Sequence, residues 1–294
     1  MTEMDKIVSE LKKINAKRIL VQYPEGLITK IIEISKKLED EGFEVLLSME
    51  PCYGACDIRD LEARRLGCDA VLHIGHSDFG LEQEIPVIFW EYKLDVDPIP
   101  ILEKEFQKLK PFKKVGLLTS IQYVDSLPKV KDYLEKNGKE VLIHKTLKYP
   151  GQILGCCVYS AEAIEDGVDC FLFVGSGFFH PLSVAIKVEK PTLSLDLERK
   201  KILDMEEEKR KWLRKRAWYE SKIEEAKKIG IVVSWKKGQN RIEEALKLKD
   251  ELENKGKEVH ILAFDSFSKE KLEGLKIDAL INMACPRIDE EVFI

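Results

Sequence analysis

The chain lacks any apolar run approaching the roughly 18–20 residues that a membrane-spanning helix requires. It also lacks a secretory start: residues 1–13 mix both charge signs on an amphipathic pattern, where a signal needs a basic start followed by an uninterrupted apolar stretch. The expectation is a cytoplasmic protein with no membrane contact. Basic excess is missing too, since 48 Lys and Arg stand against 53 Asp and Glu for a net charge of −5. Direct binding to nucleic acid is therefore not expected. No disulfide framework is legible, because the cysteines number seven, an odd count, at spacings unlike those of small secreted scaffolds. In a reducing compartment such thiols are expected to be free, metal-bound or catalytic. No CxxC pair occurs, which argues against a structural zinc site, and no complete GxGxxG supports a dinucleotide fingerprint.

What is present is a pattern repeated three times. With 294 residues, 44% hydrophobic and 34% charged, the chain has material for two or three compact units. Each copy opens on an apolar strand: Arg18–Tyr23, Lys114–Leu118 and Lys228–Val233. A helical stretch follows and stops at a glycine suited to a left-handed cap, after which a second strand begins: Gly42-Phe43-Glu44-Val45, Gly138-Lys139-Glu140-Val141 and Gly256-Lys257-Glu258-Val259. A third strand starts at an aspartate, in Asp69-Ala70-Val71-Leu72, Asp169-Cys170-Phe171-Leu172 and Asp278-Ala279-Leu280-Ile281.

Strands alternating with helices in this order predict parallel βαβ units with right-handed crossovers. The reading is an α/β chain of three homologous parallel-sheet domains in a pseudo-threefold arrangement. They are expected at residues 1–96, 97–200 and 201–294, carrying Cys56, Cys156 and Cys285 respectively. Residues 206–220 are predicted to form a solvated linker helix, anchored on one face by Trp212 and Tyr219 at seven-residue spacing.

Ligands of doubly wound sheets bind beyond the carboxyl ends of the strands, so cysteines there are the first candidates. Cys56 lies thirteen residues before Asp69 and Cys156 thirteen before Asp169, the same place in two copies. Cys285 lies seven residues after Asp278, at a different position on the same edge. Three thiolates, one from each domain, suit a 4Fe-4S cluster with one iron left open. Ordinary buried cysteines are the competing reading, and spacing alone leaves both open. Cys68 and Cys170, at or in third strands, are expected to be core residues. Cys52 and Cys157 are spare thiols beside the candidates.

At these residues the sequence resembles the archaeal diphthamide-synthesis family, the 2-(3-amino-3-carboxypropyl)histidine synthases. The resemblance is carried by Tyr23-Pro24-Glu25-Gly26-Leu27, Tyr53-Gly54-Ala55-Cys56-Asp57, Gly151–Cys156 and Ala284-Cys285-Pro286-Arg287, with the Gly175–Pro181 turn in addition. It spans nearly the whole chain.

The resemblance implies that Cys56, Cys156 and Cys285 hold a central 4Fe-4S cluster whose open iron meets S-adenosylmethionine, in place of the single-loop CxxxCxxC of ordinary radical enzymes of this cofactor. It further implies electron-driven cleavage between the sulfur and the γ-carbon of the methionine portion. The 3-amino-3-carboxypropyl group then goes to C2 of a histidine on translation elongation factor 2. A homodimer and an electron donor are carried over with it. Only nine residues follow Cys285, where the family carries a longer tail.

Loop position makes Glu25 and Gln239 candidate contacts of the S-adenosylmethionine cosubstrate. Gly175, Ser176 and Gly177 are candidates to offer backbone N–H groups to its carboxylate, and His180 to hold substrate or donate a proton. The bland readings are turn chemistry for the loops and a structural role for His180. His73 and His76 have no further ligand at metal spacing nearby, which favours a structural role for both. Two rival functions stay open. One is a quinolinate-synthase-like 4Fe-4S enzyme, which would not bind S-adenosylmethionine; the other is a non-enzymatic triple-repeat binding module, which would be colourless.

Overall fold

A computed structural model describes residues 2–78 and 80–293 and shows a mixed α/β chain built on parallel sheets. Its strands are β1 (Arg18–Gln22), β2 (Glu44–Leu47), β3 (Ala70–Ile74), β4 (Val87–Trp90), β5 (Lys114–Thr119), β6 (Glu140–Leu142), β7 (Cys170–Gly175), β8 (Thr192–Asp196), β9 (Lys201–Asp204), β10 (Lys228–Ser234), β11 (Glu258–Phe264) and β12 (Ala279–Asn282).

They form three sheets, ordered β2-β1-β3-β4, β6-β5-β7-β8-β9 and β11-β10-β12. In each sheet the opening strand of a repeat is flanked by the second and third strands, all in parallel register. The glycines before the second strands, Gly42, Gly138 and Gly256, have φ of +95°, +79° and +80°. This left-handed conformation turns the chain from helix into strand and is nearly strain-free only for glycine.

The repeated aspartates have a common structural task. Asp69 Oδ2 accepts the backbone N–H groups of Lys17 and Arg18 at 2.7 and 2.8 Å. Asp169 does the same for Lys113 and Lys114 at 2.7 Å each, and Asp278 for Lys227 and Lys228 at 3.0 and 2.8 Å. Each carboxylate thereby ties the start of a third strand to the start of a first, and the paired donors hold all three carboxyls below their ordinary range.

Two of the sheets are larger than three strands. β4 adds a parallel strand to the first, while β8 (parallel) and β9 (antiparallel) extend the second. The second sheet therefore runs to Asp204, past the boundary expected at residue 200. By compactness the chain divides into two units. One comprises the residues up to Tyr92 together with Lys236–Asn240; the other comprises Lys93–Trp235 and the chain from Arg241 onward.

In the first unit, helices Glu3–Lys13 and Ile28–Asp40 set Leu11, Ile31 and Leu38 against Ile19, Val21 and Leu72. Each such fully buried side chain contributes roughly 1.5–3 kcal/mol of hydrophobic stabilisation. In the second unit, the predicted linker helix is found at Glu206–Glu225. Tyr219 is its buried anchor, and the phenol oxygen accepts the Leu280 N–H at 2.7 Å; Trp212 is half-buried. Among the described residues no helix is long and apolar enough to cross a membrane.

Candidate metal and substrate site

Cys56 lies in a tight turn, Gly54–Asp57, closed by the Asp57 N–H on the Gly54 carbonyl at 3.1 Å. A Cβ on Gly54 would stand 3.2 Å from the Cys56 sulfur, so the small residue leaves that sulfur room. The segment Lys236–Asn240 is built against this turn. Gly238 donates its N–H to the Cys56 carbonyl at 2.9 Å, and the Gln239 side-chain amide donates to the Cys56 sulfur at 3.2 Å. Burial pushes the Cys56 thiol up, while the Gln239 bond and the nearby Lys236 ammonium pull it back.

Beneath the turn is a buried ion network. Asp57, 2% exposed, faces Lys236 Nζ at 2.6 Å and Arg59 Nε at 3.1 Å. Asp60, fully buried, accepts Lys237 Nζ at 2.8 Å and the Glu84 backbone N–H. Gln22 reaches in from the end of β1, donating its amide to the Asp57 carbonyl and accepting the Arg59 N–H at 3.2 Å. Charges taken out of water this far are tolerated only when paired, so the network fixes the Cys56 turn on two sides.

Cys156 sits exposed at the tip of the turn Leu154–Cys157, whose ends exchange backbone hydrogen bonds of 2.9 and 3.1 Å. A Cβ on Gly155 would lie 1.9 Å from the Phe179 ring, which packs on the bare backbone beside the cysteine. The thiol opens on a cavity of about 640 Å³ lined by Phe178, Phe179, Arg216, Arg241 and Arg287 among others. The Arg287 guanidinium lies over the Phe179 ring at 5.4 Å. Arg216 and Arg241 are paired with Glu220 and Glu244, and Asp289 and Glu291 line the same cavity, so its guanidiniums stand among carboxylates.

Cys285, half-buried, precedes the short 3-10 turn Pro286–Ile288. Asn282, closing β12, shapes that loop: its amide donates to the Cys285 carbonyl at 2.8 Å and to Asp289 at 2.6 Å, and its oxygen accepts the Ala284 N–H at 2.9 Å. Arg287, two residues past Cys285, lines the same cavity as Cys156.

The remaining sequence candidates are distributed as follows. Glu25 is exposed at the start of a 3-10 turn after β1. Gly175 ends β7; the Ser176 hydroxyl pairs with the Tyr123 hydroxyl at 2.9 Å; Gly177 has φ +75° and leads into helix Phe179–Lys187. His180, on that helix, stacks on Phe173 with centroids 5.9 Å apart and meets Phe179 edge-on at 5.4 Å, and burial draws its imidazole down to about 4.

Cys68 and Cys170 belong to cores, as expected, and burial lifts the Cys170 thiol to about 12. Lys236, Lys237, Gln22 and Asn282 were not singled out from the sequence. The first two lie 179 and 177 residues from the aspartates they meet, a separation that no local pattern bridges.

The model of the diphthamide synthesis protein family matches residues 23–290 of the chain. A 2-(3-amino-3-carboxypropyl)histidine synthase of Pyrococcus horikoshii is 38% identical over 286 residues, covering 96% of this chain and 82% of that protein. One of Methanocaldococcus jannaschii is 31% identical, covering 97% of this chain and 83% of its own. The crystal structure of Dph2 from Pyrococcus horikoshii with a 4Fe-4S cluster superposes with a TM-score of 0.91 at 37% identity, over 97% of this chain and 84% of that one.

Proposed function

Because the chain belongs to the diphthamide synthesis protein family, we propose that it transfers the 3-amino-3-carboxypropyl group of S-adenosylmethionine to C2 of a histidine on translation elongation factor 2. The observation that carries this reading is the likeness to the cluster-bearing Dph2 over almost the entire chain. The local chemistry agrees with it. The proposed ligands are Cys56, Cys156 and Cys285, with a 4Fe-4S cluster supplying the electron that cleaves the sulfur–γ-carbon bond.

Each of the three cysteines is placed in a loop whose shape is fixed by other residues. Gln239 directs an N–H at the Cys56 sulfur, a bond that eases ionisation of a thiol otherwise raised by burial. Gly155 lets Phe179 close over the backbone beside Cys156, and Asn282 holds the loop of Cys285. In the cavity beside Cys156, Arg287 is the candidate partner of the methionyl carboxylate, a role the sequence alone pointed to in the Gly175-Ser176-Gly177 turn. Glu25 and His180 remain candidate cosubstrate contacts. A homodimer, an external electron donor and a cytoplasmic site of action complete the proposal.

The test is to purify the protein without oxygen, reconstitute iron and sulfide, reduce it, and supply S-adenosylmethionine with elongation factor 2. Methylthioadenosine and a heavier histidine are expected together, and both should vanish in Cys56→Ala, Cys156→Ala and Cys285→Ala. A brown, reduced protein that yields neither product refutes the reaction; a protein that cannot be made brown refutes the cluster.

A further inference from the structure

His73 is the next-to-last residue of β3, and the chain turns at Gly75, whose φ of +89° brings His76 back toward His73. Cys52 approaches both rings from the loop before Cys56. Its sulfur lies 3.9 Å from His73 Nε2 and 4.0 Å from His76 Nδ1, and the two nitrogens are 3.0 Å apart. These three donors form a compact cluster with the separations of a metal-ligand set. The circle through three atoms at those separations has a radius of about 2.1 Å. Zinc sits ~2.0–2.1 Å from imidazole nitrogen and ~2.3 Å from thiolate sulfur, so one point already lies near coordination distance of all three.

We propose that Cys52, His73 and His76 form a binding site for one divalent ion of the zinc class, separate from the three cysteines assigned to the cluster.

The protonation pattern supports a ligand role. Gln22 is fixed at both ends, because the Asp57 carbonyl only accepts and the Arg59 N–H only donates. Its oxygen therefore also accepts from His73 Nδ1 at 3.1 Å, which places the ring proton on Nδ1 and leaves the lone pair on Nε2, toward Cys52 and His76. An outer acceptor on the far ring nitrogen is the usual companion of a metal-bound histidine. Burial keeps the His73 ring neutral, drawing it down to about 3, and lifts the metal-free Cys52 thiol to about 12. A bound cation takes the place of that thiol proton.

Three protein ligands leave a fourth position for water or another small donor. The ion would clamp the loop carrying Cys56 onto the end of β3, a structural task that rests on no part of the reaction proposed above.

The site is tested by counting metals. The cluster-loaded protein, grown with zinc and stripped of loose metal, should hold one zinc per chain beside its iron. Cys52→Ala and His76→Gln should each drop zinc at least tenfold with iron unchanged. In a second measurement, Co(II) is titrated into the chain with Cys56, Cys156 and Cys285 all changed to alanine. One equivalent should raise a thiolate-to-cobalt charge-transfer band in the near ultraviolet, and adding Cys52→Ala should abolish it. A folded holoenzyme without zinc that also gives no cobalt band overturns the proposal. So does a Cys52→Ala protein that loses iron in parallel with zinc, which would make Cys52 a cluster ligand instead.

Discussion

Gly238→Ala is expected to be the most informative single methyl group added to this protein. A Cβ at Gly238 would stand 2.5 Å from the Cys56 Cβ, 2.6 Å from its Cα and 3.1 Å from its carbonyl oxygen. These neighbours are main chain or fixed to it, so no rotamer change relieves the clash. Restoring ordinary carbon contacts of ~3.5–4.0 Å requires the two segments to part by about 1 Å. That movement stretches the Gly238-to-Cys56 hydrogen bond, now 2.9 Å, and the Gln239 bond to the sulfur, now 3.2 Å, beyond useful length. Overpacking costs about 1–3 kcal/mol and a lost hydrogen bond about 0.5–1.5 kcal/mol, so a loss of roughly 2–4 kcal/mol is expected. For a chain of this size that corresponds to a fall in Tm on the order of 4–16 °C.

The assay is scanning calorimetry of the reduced apo protein, paired with the alkylation rate of Cys56 read by mass spectrometry, which should fall as the thiol loses the Gln239 N–H that eases its ionisation. Gly26→Ala is the control: nothing lies within 4 Å of its added Cβ, and its effect should stay within about 0.5 kcal/mol. Equal Tm values for the two variants, with Cys56 alkylating at the parent rate in both, would refute the close packing of Lys236–Asn240 on the Cys56 turn.

Other outcomes follow from the same geometry. Gln239→Leu removes the N–H aimed at the Cys56 sulfur, so the midpoint potential of the reconstituted cluster should move to more negative values by spectroelectrochemistry; an unmoved potential would detach Gln239 from the sulfur. Lys236→Met leaves Asp57 buried with Arg59 alone and should cost roughly 2–5 kcal/mol in urea unfolding, less than Asp57→Asn, which strands two cations; the reverse order would contradict the network. Asp69, Asp169 and Asp278 have folded-state carboxyls below the ordinary value of 3.8, so their contribution is present above that pH and is lost as pH falls through the lower folded values. Alanine at any of the three should lower the urea midpoint at pH 7 and flatten its decline toward pH 3; an unchanged slope would mean the carboxylates are not bonded as described.

The repeat was legible in the sequence because each of its signals is local. Apolar runs, the glycine after each first helix and the aspartate before each third strand all act within a few residues of where they stand. β4, β8 and β9 were not read as members of the sheets, since they follow the repeated core and differ between copies in number and direction. Cys68 and Cys170 declared themselves as core by lying against apolar strands.

The surroundings of Cys56 were hidden for a different reason. Gln239 was recognised as a loop residue facing a crevice, yet its partner is a sulfur 183 positions away. His73 and His76 looked ligand-poor because Cys52 precedes them by 21 and 24 residues, a gap that closes only when the helix between β2 and β3 folds the chain back. Lys236 and Asp57 stand 179 residues apart in sequence, and only folding buries both to under a tenth of their exposed area.

The placement of Lys236–Asn240 within the unit formed by the first 92 residues also sets an order of events at the ribosome. The strands and helices of that unit are complete once Tyr92 has emerged, but the turn around Cys56 lacks its lysine, glycine and glutamine partners until more than 140 further residues are made. At ~5–20 residues per second, that interval is on the order of 7–30 s, during which the thiol stands unbraced. A nascent chain of this kind braces the Cys56 turn only after the second sheet has been made, and a translation product that stops short of Lys236 would present that turn with an unbraced, oxidisable cysteine.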